Sequence, residues 1–232
     1  NESEIENKSV EKSESEIDDI YQNFAYHENA IAQKTSVTNL NLDAPYESVN
    51  YVPSTFKIDE HMNNVEKNLE LGNLYHELLE NYDFNNNYIN FDAMFESFKE
   101  KYQKIDFDEK MINEIKANIN SISQKILKLA TKNSKFYKEK EFMLNASPRE
   151  ILSVGSDQKV LIQGKIDLFI CGEKNVLVDY KYSNLSGNKL TQKYQNQLKI
   201  YKFALENFLN APVDDVFLFN IKNGEIISLK NI

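Results

Sequence analysis

A chain of 232 residues with 41% hydrophobic content can bury one sizeable core, alone or with a helical subdomain, but hardly two independent enzymes, so a single active site is expected. Its one cysteine, Cys171, excludes an internal disulfide framework, a four-cysteine zinc site and a cysteine-ligated iron–sulfur cluster, which leaves oxygen and imidazole to hold any metal. The net charge of −9 argues against a general polyanion-binding surface, although lysines gather at 125–140 and 181–202 and keep a DNA-facing patch open.

Residues 1–35 are rich in Ser, Glu, Asn and Lys and carry few large apolar side chains in any period, so they read as a flexible tether. The initial asparagine fits a piece cut from something longer. These residues are not signal-like, and no uninterrupted apolar run approaches the roughly 20 residues of a membrane span, so a soluble intracellular protein without a membrane partner is expected. From 59 to 82, Met62, Val65, Leu69, Leu74, Leu78 and Leu79 recur mostly at helical spacing and predict a helix that also carries His76. Two further helices are expected at 91–103 and 108–131, the second with Ile112, Ile115, Ile119, Ile122, Ile126 and Leu129 on one stripe.

After Asn133 the pattern changes. Residues 135–144, 160–170 and 175–181 read as strands. Tyr194, Leu198, Tyr201, Leu205 and Phe208, at steps of three and four, predict an amphipathic helix over 190–210. Two last strands, 216–221 and 225–229, flank Lys222-Asn223-Gly224, and Asn-Gly is the strongest short hairpin signal. The expected fold is a mixed α/β (α+β) sheet carrying helices, with a helical part over about 59–131 and a sheet and helix over about 134–232.

The short polar stretch between Ile170 and Val176 suits a hairpin. If those two residues face each other, Asp167 falls opposite Asp179, with Lys181 on the same face as Asp179, and Lys165 and Gln163 on the same face as Asp167. Ile162, Ile166, Leu168, Val176 and Val178 then point to the other face, so one face is core and the other holds two carboxylates and an amine. Opposed carboxylates repel unless a cation lies between them, and hard divalent ions such as magnesium or manganese take oxygen ligands. An adjacent lysine that orients or deprotonates water and stabilises charge on a phosphate completes a recipe for phosphodiester hydrolysis. The competing reading is a solvated cross-strand charge pair, because Asp-x-Lys arises by chance in a lysine-rich chain. Asp108-Glu109-Lys110 is a second copy, set aside because it opens an amphipathic helix.

The run Gln163-Gly164-Lys165-Ile166-Asp167, then Leu177-Val178-Asp179-Tyr180-Lys181, then Gln197-x-x-x-Tyr201, resembles the RecB-like nucleases of the PD-(D/E)XK superfamily. Gly72-Asn73-Leu74-Tyr75-His76 looks like the Gly-x-x-x-His helix of that group, and residues 35–40 and 138–142 are similar to segments of AddA-type nuclease domains from bacterial AddAB helicase-nucleases. The resemblance implies a restriction-endonuclease-like core over 36–232. It implies magnesium, or manganese in its place, held by Asp167, Asp179, His76 and the Tyr180 carbonyl. Lys181 would be the catalytic lysine, and Gln197 and Tyr201 would line the same cleft. Glu139 matches an acidic position of the family, though the proline usual two residues later is here Glu141.

The resemblance further implies an exonuclease acting on unwound single-stranded DNA in double-strand-break repair by recombination, with the bacterial cytoplasm as location. Its implied partners are a helicase region in the same parent chain and an AddB-like second subunit. A stand-alone exonuclease or endonuclease of the superfamily, and an inert DNA-binding or docking module, are the alternatives. No Gly-rich phosphate loop followed by Lys-Ser or Lys-Thr occurs, so ATP hydrolysis is not expected of this stretch.

Overall fold

The computed structural model describes residues 34–37, 60–230 and 232, all within one unit spanning 33–232. The expected tether lies outside the described residues except for Lys34 and Thr35, which belong instead to strand β1, Lys34–Ser36. Three residues are too few to show a period, and β1 exists only through parallel pairing with a strand some 125 positions later, of Lys34 with Leu161 and Ser36 with Gln163.

Helix α1 is Glu60–Asn81. It buries Leu71, Leu74, Tyr75, Leu78 and Leu79, but Val65 and Leu69, expected on the same stripe, are 61% and 66% exposed. The step from Leu69 to Leu74 is five residues. At about 100° per residue it turns the helix by roughly 140° beyond a full turn, so Val65 and Leu69 share the face of His76 rather than that of the core. Helix α2, Phe91–Lys101, starts on Asn90, whose side chain accepts from the Ala93 amide. Helix α3, Glu109–Leu127, buries Ile115, Ile119, Ile122 and Ile126 as its spacing requires. Asp108, the acid of the discarded Asp-x-Lys copy, caps this helix by accepting from the Met111 amide at 2.7 Å.

Strands β2 (Lys135–Ala146), β3 (Val160–Cys171), β4 (Val176–Lys181), β5 (Asp215–Asn220) and β6 (Glu225–Ser228) complete a six-stranded mixed sheet. Between β2 and β3 lies α4, Pro148–Leu152, too short for its apolar spacing to announce it. Its Ser147-Pro148-Arg149-Glu150 start forms a reciprocal capping box. Helix α5, Gly187–Leu209, joins the parallel neighbours β4 and β5, and Asn223-Gly224 makes the β5–β6 turn with Gly224 at φ 70°.

Helices α1–α3 cover one face of the sheet and α5 the other. Leu168, Ile170, Val176, Val178 and Tyr180 pack in the cluster with α1–α3, while Ile162, Ile166, Phe169 and Leu177 pack in the cluster with α5. Both faces are therefore core, which corrects the expectation of one apolar and one chemical face. The expected grouping of Leu168 with Ile162 and Ile166 also fails, because the inward parity of β3 turns over at Asp167. The long β2–β3 ladder breaks at that same step, opposite Glu139, whose φ is 49°. No helix among the described residues is long and apolar enough to cross a membrane.

Strand β3 has β2 along the whole of one edge. Its other edge pairs with β1 at 161–163 and with β4 at 168–170. Residues 164–167 between them face neither strand, and the functional side chains gather at this fork.

Candidate metal centre and active-site cleft

The β3–β4 hairpin adopts the expected register, Ile170 opposite Val176 and Leu168 opposite Val178, so Asp167 and Asp179 stand at the next step. There the backbone ladder ends and side-chain bonding takes over: Asp167 Oδ2 accepts from the Tyr180 amide at 2.7 Å. Strand β4 reads as an unbroken buried run from Val176 to Tyr180, with Asp179 fully buried in its middle. A carboxylate in that position costs several kcal/mol unless it is paired. Lys181 Nζ lies 2.6 Å from its Oδ2, and Gln197 Nε2 donates to its Oδ1 at 3.4 Å.

His76, projecting from α1, brings Nδ1 to 3.5 Å from Asp167 Oδ1 and 3.6 Å from Glu139 Oε1. Donor atoms of His76, Glu139 and Asp167 all fall within 4.8 Å of one another. Glu139, the weakest match in the sequence, thus stands beside His76 and Asp167, and its positive φ at the ladder break accompanies that placement. Lys165 pairs with its other oxygen, Oε2. Asp179 stands apart from this trio, engaged by Lys181 and Gln197. Tyr180 enters through its amide, and its buried ring meets His76 edge-on at 5.8 Å between centroids.

Gln197 and Tyr201, one turn apart on α5, are joined by a 2.8 Å hydrogen bond from Gln197 Nε2 to the Tyr201 hydroxyl. Periodicity alone assigns Tyr201 to the core. It is 6% exposed and packs edge-on against Phe142, yet it also reaches the wall of a cavity of about 740 Å³ that holds His76, Glu139, Lys165 and Asp167. Gly164 sits on the same wall because nothing larger fits: a Cβ there would lie 2.6 Å from the Phe142 ring and 2.8 Å from Val37.

Three carboxylates, Glu139, Asp167 and Asp179, meet two ammonium groups, Lys165 and Lys181, so the centre holds excess negative charge when His76 is neutral. Burial and the neighbouring Asp179 push the Asp167 carboxyl up to about 6, against the opposing pull of His76 and Lys181. For His76, burial lowers the affinity for a proton, but Asp167 and Glu139 outweigh it and the imidazole titrates above its usual range. Lys181 is likewise disfavoured as a cation by burial, yet Asp179 and Asp167 reverse the sign and keep it an ammonium. Burial and Asp179 push the Tyr201 phenol up to about 12. An imidazole nitrogen and two buried carboxylates converging at such a centre suit a hard divalent cation.

Sequence reading sets Tyr194 among the core positions of α5. It is only half-buried, with its ring 5.0 Å from Lys181 Nζ and 5.2 Å from Lys193 Nζ. The available signal is its place three residues ahead of Gln197, which puts both on one side of the helix.

Comparison with known proteins agrees with this geometry. The family model described as PD-(D/E)XK nuclease superfamily matches residues 51–228. An ATP-dependent helicase/nuclease subunit from Ruminiclostridium cellulolyticum is 29% identical over 227 residues, covering 90% of this chain and 18% of that protein. The like-named proteins of Staphylococcus haemolyticus and Clostridium acetobutylicum are 27% and 26% identical, covering 62% and 69% of this chain and 13% and 14% of theirs. The chain spans less than a fifth of the length of these relatives.

Proposed function

Because this chain belongs to the PD-(D/E)XK nuclease superfamily, we propose that it is a magnesium-dependent deoxyribonuclease that hydrolyses phosphodiester bonds, the nuclease part of a helicase-nuclease. The observation that carries the reading is the convergence of His76, Glu139 and Asp167 on the wall of an open cleft, with Lys181 two residues beyond the buried Asp179. In this reading His76, Asp167 and Asp179, with the Tyr180 carbonyl, hold the ion, and Glu139 joins them. Magnesium, or manganese in its place, supplies positive charge to the scissile phosphate and polarises the attacking water.

The chain's own groups do the rest. Lys181, kept protonated by Asp179, places an ammonium where negative charge grows on the phosphate. Gln197 fixes Asp179 from the side opposite Lys181, and by bonding the Tyr201 hydroxyl it leaves the phenolic proton available as a donor. The likeness to ATP-dependent helicase/nuclease proteins supports single-stranded DNA as the substrate, exonucleolytic cleavage in recombinational repair and the bacterial cytoplasm as location. It equally supports a helicase region in the same parent chain and, as partner, a second, AddB-like subunit.

The test is cleavage of end-labelled single- and double-stranded DNA with and without magnesium. The wild type cuts the single strand only with the metal, and Lys181→Ala and Asp179→Ala lose at least a hundredfold in rate while keeping the thermal midpoint within a few degrees, an order of magnitude typical for loss of a charge-stabilising group. Full activity in either variant defeats the reading.

A further inference from the structure

Lys181 is the residue on which the proposed chemistry turns, and its ammonium has a neighbour besides Asp179. The ring of Tyr194, from the first half of α5, has its centroid 5.0 Å from Lys181 Nζ. The lysine side chain is only 16% exposed, and Tyr194 is half-buried. Four freely rotating bonds let a lysine head wander, and a single carboxylate fixes its distance from that carboxylate without fixing its direction. An aromatic face about 5 Å away supplies the second constraint, since an ammonium is attracted to the negative face of the ring, and more strongly where water is partly excluded.

Resting on the nuclease reading, we propose that Tyr194 is a positioning residue: its ring, with Asp179, holds the Lys181 ammonium in place for the reacting phosphate. Tyr194, Gln197 and Tyr201 lie on successive turns of α5. The helix therefore orders the centre at three points, Lys181 through Tyr194, Asp179 through Gln197, and the cleft wall through Tyr201. Lys193 lies 5.2 Å from the same ring but is exposed, with no acidic partner among the described residues, and takes no part in this positioning.

The experiment compares the wild type with Tyr194→Leu, Tyr194→Phe and Lys193→Gln in magnesium-dependent cleavage of end-labelled single strands, alongside thermal midpoints. Removing the ring lowers kcat by about tenfold with KM within about twofold, the size expected for one partly desolvated cation–π contact. The phenylalanine variant, which keeps the ring, returns to within about twofold of the wild type, and Lys193→Gln keeps its kcat. A wild type that does not cleave defeats the nuclease reading itself. An active wild type with undiminished kcat in Tyr194→Leu overturns the inference alone, as does equal loss in the leucine and phenylalanine variants. A rise in KM shared by Tyr194→Leu and Lys193→Gln also overturns it, because it places the ring on the DNA-binding surface. A readout independent of activity is the proton spectrum of the metal-free protein: the Lys181 ε-methylene, assigned by its loss in Lys181→Arg, is displaced by the ring current in the wild type and in Tyr194→Phe. An undisplaced signal in the wild type overturns the inference whether or not Tyr194→Leu folds.

Discussion

Asp167 reaches across the end of the β3–β4 ladder and accepts a 2.7 Å hydrogen bond from the Tyr180 amide, so one carboxylate serves both the sheet and the proposed centre. The bond satisfies a buried backbone donor, but it does not neutralise a charge set beside Asp179. The carboxyl consequently titrates at about 6, above its ordinary 3.8. A carboxyl whose folded value is raised favours the folded state only while protonated, so its contribution is lost as pH rises from about 4 to about 6. Asp167→Asn keeps an acceptor for the amide without the charge. In chelator at pH 7 it is expected to be more stable than the wild type, by on the order of 1–3 kcal/mol. Thermal midpoints of the two proteins should converge near pH 4, and a constant gap from pH 4 to 8 would refute the explanation.

Divalent metal should reverse that order. An ion at His76, Glu139 and Asp167 replaces the proton on Asp167, so manganese binding weakens below about pH 6, approaching tenfold per unit for one displaced proton. At a hundred times its dissociation constant the ion adds about 2.7 kcal/mol to the wild type. Calorimetric titration checks both points, with His76→Ala and Glu139→Gln each weakening binding at least tenfold. Unchanged affinity in both variants would place the ion elsewhere.

The two glycines of the motifs should respond in opposite ways. A methyl at Gly164 collides with Phe142 and Val37, and Gly164→Ala is expected to cost about 1–3 kcal/mol through overpacking. At Gly72 the added Cβ meets only the Tyr182 Cβ, at an ordinary 3.6 Å, in the middle of α1. Gly72→Ala should be neutral or stabilising by up to about 1 kcal/mol. Urea denaturation of the pair measures the contrast.

Asn220, 1% exposed at the end of β5, donates to the Ser183 and Leu185 carbonyls and accepts from the Ser183 and Lys222 amides. It staples the segment that follows Lys181. Asn220→Ala is expected to cost about 2–3 kcal/mol and to lower cleavage by loosening that segment. Equal urea midpoints for variant and wild type would show that the staple carries no stability.

Much of this arrangement is legible from local pattern. The polar stretch between Ile170 and Val176 gives the hairpin register, because a short loop leaves little freedom in pairing, and the three-and-four spacing of α5 carries Gln197 and Tyr201 to one side. What escapes depends on distant partners. Strand β1 is defined only by β3, and the Asp167 parity change coincides with a backbone break at Glu139 on another strand. Tyr194 is hidden because an aromatic on an apolar stripe has the same spacing whether it faces a core or an ammonium. Val65 and Leu69 mislead because a five-residue step is easily counted as a continuation of a stripe it actually leaves.

The fork in the sheet also bears on where a self-sufficient fragment can be cut. All the residues proposed for the chemistry lie between His76 and Tyr201, yet β1 and Val37 stand some forty positions ahead of the first of them and supply one prong of the fork. A shortened chain that starts at α1 would retain every reactive side chain and still lose that prong. Phe142 and Gly164 would then meet solvent where Val37 had been, so the beginning of the domain is better judged by its walls than by its motifs.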